Sequence, residues 1–162
     1  MLEQLAKNSA GKVLFMRHAL APGFGDPDNF VIGDCATQRN LDEEGRQQAR
    51  VIGERLKQAN IRPLKLYSSQ WCRCLDTASL LSLGSVEAHK GLNSFFQGKV
   101  NRQETLASLQ ELLQSLDYTQ GPYMFVTHQV VITAVTGISP ASGEIVVYDL
   151  VNKQVSLLDF KH

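Results

Sequence analysis

The sequence predicts an α/β chain: a three-layer sandwich with a mostly parallel central sheet flanked by helices, closed by a C-terminal β-hairpin. Three observations predict it. The short apolar runs KVLFM (12–16), LKLYSS (64–69) and YMFVT (123–127) read as buried strands. The segments between them carry helical periodicity. EIVVYDL (144–150) and QVSLLDF (154–160) alternate around Asn152-Lys153, the pattern of a hairpin. Strands alternating with helices build a layered sandwich around one sheet.

In chain order, residues 1–11 read as a short amphipathic helix ending at Gly11, with Leu2, Leu5 and Ala6 on one face. The strand at 12–16 stops at Arg17-His18. Residues 21–40 form a loop, rich in Gly, Pro and Asp at its start. The clearest helix spans 42–60: Ala49, Ile52, Gly53 and Leu56 recur at helical spacing, and Asp42, Glu43 and Glu44 favour the positive end of its dipole. A second strand at 64–69 runs into a helix over 71–81 that Gly84 ends, with a short strand following near Val86. Residues 95–101 are a loop. A helix over 104–116 places Leu106, Leu109, Leu112, Leu113 and Leu116 on one stripe. The strand at 123–127 stops at His128. The apolar stretch 130–135 lies between that strand and Gly137, which favours a short helix.

The chain has 162 residues, with 16 Lys+Arg against 16 Asp+Glu. That length suits one domain, 1–162, with one core. Zero net charge argues against sequence-independent binding to nucleic acid or to an anionic membrane, which needs excess Lys and Arg. Three cysteines are too few for a disulfide scaffold. Cys72 and Cys74 diverge on a helix, and Cys35 is the one other thiol, so a reduced compartment is the simpler reading. The start is polar and no apolar run can span a membrane, so the expected location is the cytoplasm, or the periplasm if a leader has been removed.

Of the four histidines, His18 and His128 directly follow apolar strands, whereas His89 and His162 read as surface residues. Arg17 precedes His18, and Arg73 follows the strand between them. Ligands of open α/β sheets bind beyond the carboxyl ends of the strands, where these residues converge. Two arginines and two histidines suit a phosphoryl group: guanidinium forks match its oxygens, and a neutral imidazole is a capable nucleophile for phosphorus. A metal fits poorly, because His18 and His128 lack local ligand spacing and the arginines repel a cation. No cofactor is implied.

These motifs resemble those of the histidine phosphatase superfamily, the phosphoglycerate-mutase-like group. FMRHA (15–19) resembles its Arg-His-Gly motif, with Ala19 in the Gly position. SSQWCRCLDTA (68–78) resembles its Ser-Ser turn, helix-opening Arg and Thr-Ala. VTHQ (126–129) resembles its strand ending in a second His, and NLDEEGRQQA (40–49) the opening of its first helix. The resemblance implies a nucleophilic His18, with Arg17, Arg73 and His128 completing the phosphate pocket and Arg39 as a further phosphate-binding arginine. It implies supporting roles for Ser68, Ser69, Thr77 and Thr127. The two adjacent arginines should lower the pKa of His18.

One departure stands out. Ser94 occupies the place where many members carry a Glu as general acid, and a serine is a poor acid. Asp26, Asp34 and Glu144 are the replacement candidates, each also readable as a loop or surface carboxylate. The alternative is a substrate that needs no acid, such as phosphohistidine. The partner expected is therefore a phosphorylated small molecule or a phosphohistidine protein, handled by a phosphatase. A non-enzymatic phosphate-binding module and a phosphomutase are the alternative readings. Phe24 and Phe30 read either as part of a lid or as a cover on the core, and Trp71 as a pocket-mouth residue or a helix staple.

Overall fold

A computed structural model describes residues 1–160 of the chain. His162 lies outside them. The strands β1 (Lys12–Arg17), β2 (Lys65–Ser68), β3 (Val86–Ala88), β4 (Tyr123–Thr127), β5 (Ile145–Asp149) and β6 (Val155–Leu157) form one sheet in the order β3-β2-β4-β1-β5-β6. β1, β4, β2 and β3 run parallel, and the β5–β6 hairpin adds antiparallel to β1. The expected α/β sandwich is the observed fold.

Alternation within the strands sorts the layers. Leu14, Met16, Met124 and Val126 point to one face and pack with Ile52 and Leu56 of α2 (Glu43–Gln58) and Ala78 and Leu81 of α3 (Cys72–Leu81). Val13, Phe15, Tyr123 and Phe125 point to the other and pack with α4 (Arg102–Ser115) and α5 (Gln129–Thr136). The period of 2 in a strand makes both faces of the central strands apolar, as a sheet covered on both sides requires. The first helix, α1 (Leu2–Lys7), is shorter than the sequence suggests. Leu5 is buried and Leu2 and Ala6 pack beside it on the first core.

The helix starts follow side-chain caps. Asp42 accepts from the Gly45 amide at 2.8 Å and Asn101 from that of Glu104 at 3.0 Å, each satisfying a donor left free by the first turn. On α4 the deeply buried side chains are Thr105, Leu109, Leu112 and Leu113, with Leu106 and Leu116 at the edge of the stripe.

The parallel register brings the carboxyl ends of β1, β2 and β4 to one edge. It continues past the strands: the His18 amide donates to the Thr127 carbonyl at 3.0 Å and the Ser69 amide to the Val126 carbonyl at 3.0 Å. His18 and Ser69 are thus held by backbone bonds to β4, and His128 follows directly on that strand.

The cysteines depart from the expectation of reduced thiols. Cys35 and Cys72 form a disulfide, with Cα atoms 5.7 Å apart, and Cys74 is free and buried. Helical spacing excludes only the Cys72–Cys74 pair. The loop from Ala21 to Asn40 folds back over the start of α3, where Gln38 Oε1 accepts from the Cys72 amide at 2.8 Å, and so delivers Cys35.

Candidate active site

His18 is buried at the end of β1. Its Nδ1 lies 2.8 Å from the Ala19 carbonyl oxygen. A carbonyl only accepts, so the ring proton sits on Nδ1 and the lone pair on Nε2. Arg73 Nε donates to that Nε2 at 3.2 Å. Burial first, and then the Arg73 guanidinium, push the His18 pKa down to about 3. The arginines therefore act as expected, but removal from water is the larger cause. The ring is an unprotonated base at neutral pH. Ala19 is free of the left-handed backbone that demands Gly. Its amide donates to Thr77 Oγ1 at 3.0 Å, and Thr77 Oγ1 donates to the Arg73 carbonyl at 2.7 Å. One hydroxyl thereby ties the first motif to the second.

Arg73 occupies the first turn of α3 and is buried. Its Nη1 donates to both carboxylate oxygens of Asp26, at 2.9 and 3.1 Å. Both side chains are only 4% exposed. Asp26 also accepts from Trp71 Nε1 at 3.0 Å and from the Arg39 amide at 3.1 Å. Burial alone would raise its pKa, but the Arg39 amide, the Arg73 charge and the Trp71 donor outweigh it and hold the carboxyl below its ordinary value. Asp26 is thus neither a surface carboxylate nor placed as a proton donor. It is an ionised anchor that fixes the Arg73 fork and leaves Nε and Nη2 directed elsewhere.

His128, the N-cap residue of α5, is buried beside His18, with ring centroids 5.6 Å apart. Its Nε2 lies 2.8 Å from Ser69 Oγ. Ser69 Oγ is also 3.3 Å from Asn93 Oδ1, which already accepts from the Gln70 amide at 2.9 Å. An amide oxygen only accepts, so Ser69 gives its proton to Asn93 Oδ1 and its Oγ accepts from His128 Nε2–H and from the Trp71 amide at 3.1 Å, which leaves the lone pair on His128 Nδ1. Burial and the Arg73 charge keep the imidazole neutral, with its pKa well below the ordinary value. Thr127 Oγ1 donates to the Leu92 carbonyl at 2.6 Å and Ser68 Oγ to the Ser69 carbonyl at 2.8 Å. Their side chains build turns.

Arg17 Nη1 donates to the Pro140 carbonyl at 3.1 Å, and its Nε is a buried donor without a partner. Such orphaned donors are rare and call for an acceptor. Arg39 lines the pocket, with Nε on the Gly25 carbonyl at 2.7 Å and Nη1 on that of Ala21. Burial and Arg73 lower its pKa to about 10, so it stays charged at neutral pH.

Together Arg17, His18, Arg39, Arg73 and His128 line one pocket of about 120 Å³. Phe24, Ser94, Phe96 and Gln129 share its walls. The volume is small beside the roughly 300–1,000 Å³ of drug-sized ligand sites. It suits one phosphoryl group on a ligand that extends outward. No described carboxylate lines it. Asp34 accepts from the Ala36 amide in an exposed turn, and Glu144 accepts from the Ala141 amide at 2.6 Å. Trp71 is fully buried and stacks on Phe30 at 4.6 Å, so both are staples, whereas Phe24 stands at the pocket. His89 Nδ1 accepts from the Gly91 amide at 2.9 Å, capping a turn on the far side of β2.

Sequence reasoning missed Gln38, Asn93, Phe96 and Gln97. All four act through partners more than 20 residues away or across the pocket, and no local spacing marks them.

The model of the histidine phosphatase superfamily, branch 1, matches residues 13–117. A comparison with curated protein sequences finds no match. Among solved structures, SixA from Agrobacterium tumefaciens is similar with a TM-score of 0.62 at 22% identity, covering 93% of this chain and 96% of that one. The protein histidine phosphatase SixA complexed with tungstate gives a TM-score of 0.58 at 18% identity, over 91% and 94% of the two chains. Mycobacterial glucosyl-3-phosphoglycerate phosphatase gives 0.61 at 16% identity, over 91% and 97%. At these identities the likeness is one of fold.

Proposed function

The chain belongs to the histidine phosphatase superfamily, and from that premise we propose that it is a phosphatase working through a phosphohistidine on His18. One observation carries the reading: a neutral imidazole whose lone pair is fixed on Nε2 faces a pocket lined by three arginines. Nε2 attacks phosphorus in line. The bond to the leaving group breaks, and its electron pair departs with that group. The Nδ1–H bond to Ala19 stabilises the positive charge that develops on the ring. Arg17 Nε and the free donors of Arg73 supply hydrogen bonds to the phosphoryl oxygens beside the neutral His128 ring, so catalysis is positioning plus electrostatics. Arg73 Nε gives up its bond to His18 Nε2 when the phosphoryl group enters. Water then attacks the phosphohistidine, releasing inorganic phosphate and restoring the neutral ring.

The absence of a described carboxylate from the pocket walls supports substrates whose leaving group needs no proton from the enzyme. Phosphohistidine meets that condition, because its second ring nitrogen takes a proton from solvent near pH 6.5. Phosphohistidine is therefore the preferred substrate class, ahead of a sugar phosphate. The fold neighbours are solved both as a protein histidine phosphatase and as a glucosyl-3-phosphoglycerate phosphatase.

The test is turnover of phenyl phosphate and a phosphohistidine peptide, with trapping of an acid-labile phosphoenzyme. His18→Ala should lose both turnover and label. Label that persists in this variant would reassign the nucleophile. Phosphate binding without turnover of any phosphomonoester or phosphohistidine would instead favour a binding module.

A further inference from the structure

Two aromatic rings stand at the pocket mouth, and the phosphoryl chemistry uses neither. Phe24 is 86% exposed and Phe96 38% exposed, yet both line the pocket. Their rings meet edge to face with centroids 5.1 Å apart. A ring this exposed gains little from burial, so its place is set by the backbone that carries it.

That backbone is closely specified. Phe24 lies between Gly23 (φ +102°) and Gly25 (φ +66°), both in the left-handed region that favours glycine. A Cβ on Gly25 would come within 2.8 Å of the Gln97 side chain. Gln97 in turn is left-handed itself (φ 69°) and binds across the gap: its Oε1 accepts from the Asp26 amide at 2.7 Å and its Nε2 donates to the Asp26 carbonyl at 3.4 Å. The two loops carrying the rings are thus bonded to each other at the residue next to Phe96. Arg39 braces the same turn through the Gly25 carbonyl.

A second observation is independent of the first. Ser94 occupies the place where the sequence led us to expect an acid, and its Oγ accepts from the Phe96 amide at 3.3 Å. In this chain that position supports the turn that presents Phe96. The pocket therefore exchanges a proton donor for an aromatic wall.

We propose that Phe24 and Phe96 form a leaving-group subsite selecting substrates whose phosphoryl group is attached directly to a flat aromatic ring. The inference rests on the phosphatase reading and names its substrate class. Such rings stack on or pack edge-on against Phe. They also leave without help. When the P–N bond of a phosphoimidazole protonated on its remote nitrogen breaks, the electron pair goes to the ring and neutral imidazole departs. When the P–O bond of a phenyl phosphate breaks, phenolate departs. In both cases the phosphorus passes to His18 Nε2.

The experiment compares kcat/KM for phosphoimidazole and phosphoramidate, which share a P–N bond and differ in the ring, alongside phenyl phosphate and glycerol 3-phosphate. The wild-type chain should prefer the ring-bearing member of each pair. Phe24→Ala and Phe96→Ala should each lower the phosphoimidazole-to-phosphoramidate ratio by roughly 3- to 10-fold. Phe24→Trp should restore the ratio and Phe24→Leu should not. A loss shared by phosphoimidazole and phenyl phosphate marks the ring as the feature read. A loss confined to one of them reassigns the subsite to the P–N or P–O linkage and overturns the proposal. His18-dependent turnover with an unchanged ratio overturns the subsite alone. Absence of His18-dependent turnover on every probe overturns the phosphatase reading, and the subsite with it.

Discussion

On the floor of the pocket, Arg17, His18, Ser69 and His128 stand at the carboxyl ends of β1, β2 and β4, where the His18 and Ser69 amides still bond to β4. On the rim, Phe24, Arg39 and Phe96 ride on loops held by single side chains: Asp26 on Arg73, Gln97 on the Asp26 backbone, Cys35 on Cys72. The floor inherits the rigidity of a two-sided core. The rim depends on a few long-range bonds, any one of which a substitution can remove. A site divided this way keeps its chemistry fixed while the rim sets what is admitted.

The largest expected break of this comparison is on the floor. His18→Ala should lower kcat on phenyl phosphate by on the order of 10³- to 10⁶-fold while leaving the fold intact. Steady-state kinetics with circular dichroism checks both, and residual activity above a tenth of wild type would move the nucleophile elsewhere.

The joint between floor and rim comes next. Asp26→Asn removes one partner of a buried ion pair and should cost about 3–5 kcal/mol of stability, with a fall in kcat/KM as Arg73 loses its orientation. Urea unfolding together with kinetics measures the two effects. A stability change under about 1 kcal/mol would show that Trp71 and the Arg39 amide suffice to hold the loop.

On the rim alone, Cys35→Ser opens a cross-link between residues 37 apart, worth about 3–4 kcal/mol by loop-closure entropy. The same loss should follow reduction of the wild-type chain. Non-reducing against reducing unfolding curves read it directly, and superimposable curves would place the restraint in the Gln38 and Asp26 bonds instead.

The smallest effect concerns pH. The folded His18 pKa is about 3, against an ordinary value of 6.5, and that of His128 is also depressed. Between 6.5 and about 3 the unfolded chain therefore binds more protons than the native one. Stability contributed by these rings is complete above pH 6.5 and declines as the pH falls through that window. Activity, corrected for substrate ionisation, should change by less than about 3-fold between pH 7 and 5, because the nucleophile stays unprotonated. Melting temperature and kcat/KM across that range check the pair of statements. An acid limb at pH 6.5 in kcat/KM would mean that His18 is exposed to solvent in the free enzyme.

Much of the floor was legible before the structure. KVLFM, LKLYSS and YMFVT alternate toward two cores and end in Arg17-His18, Ser68-Ser69 and Thr127-His128, so pattern and polarity alone brought the catalytic candidates to one sheet edge. The rim was largely illegible. Asp26 read as a loop carboxylate because nothing in GFGDPDNF signals that Arg73 lies 47 residues on and 2.9 Å away. Cys35 looked unpaired because its partner belongs to another element.

The sequence by itself determined the layered α/β fold and the arginine–histidine set, because strand periodicity and turn chemistry act over a few residues. Tertiary structure alone decided that Asp26 is an ionised anchor, that Cys35 is cross-linked, and that Ser94 supports Phe96 rather than leaving a gap for an acid. Those outcomes depend on burial and on bonds between distant loops. A side chain's charge state and role follow from what surrounds it in space.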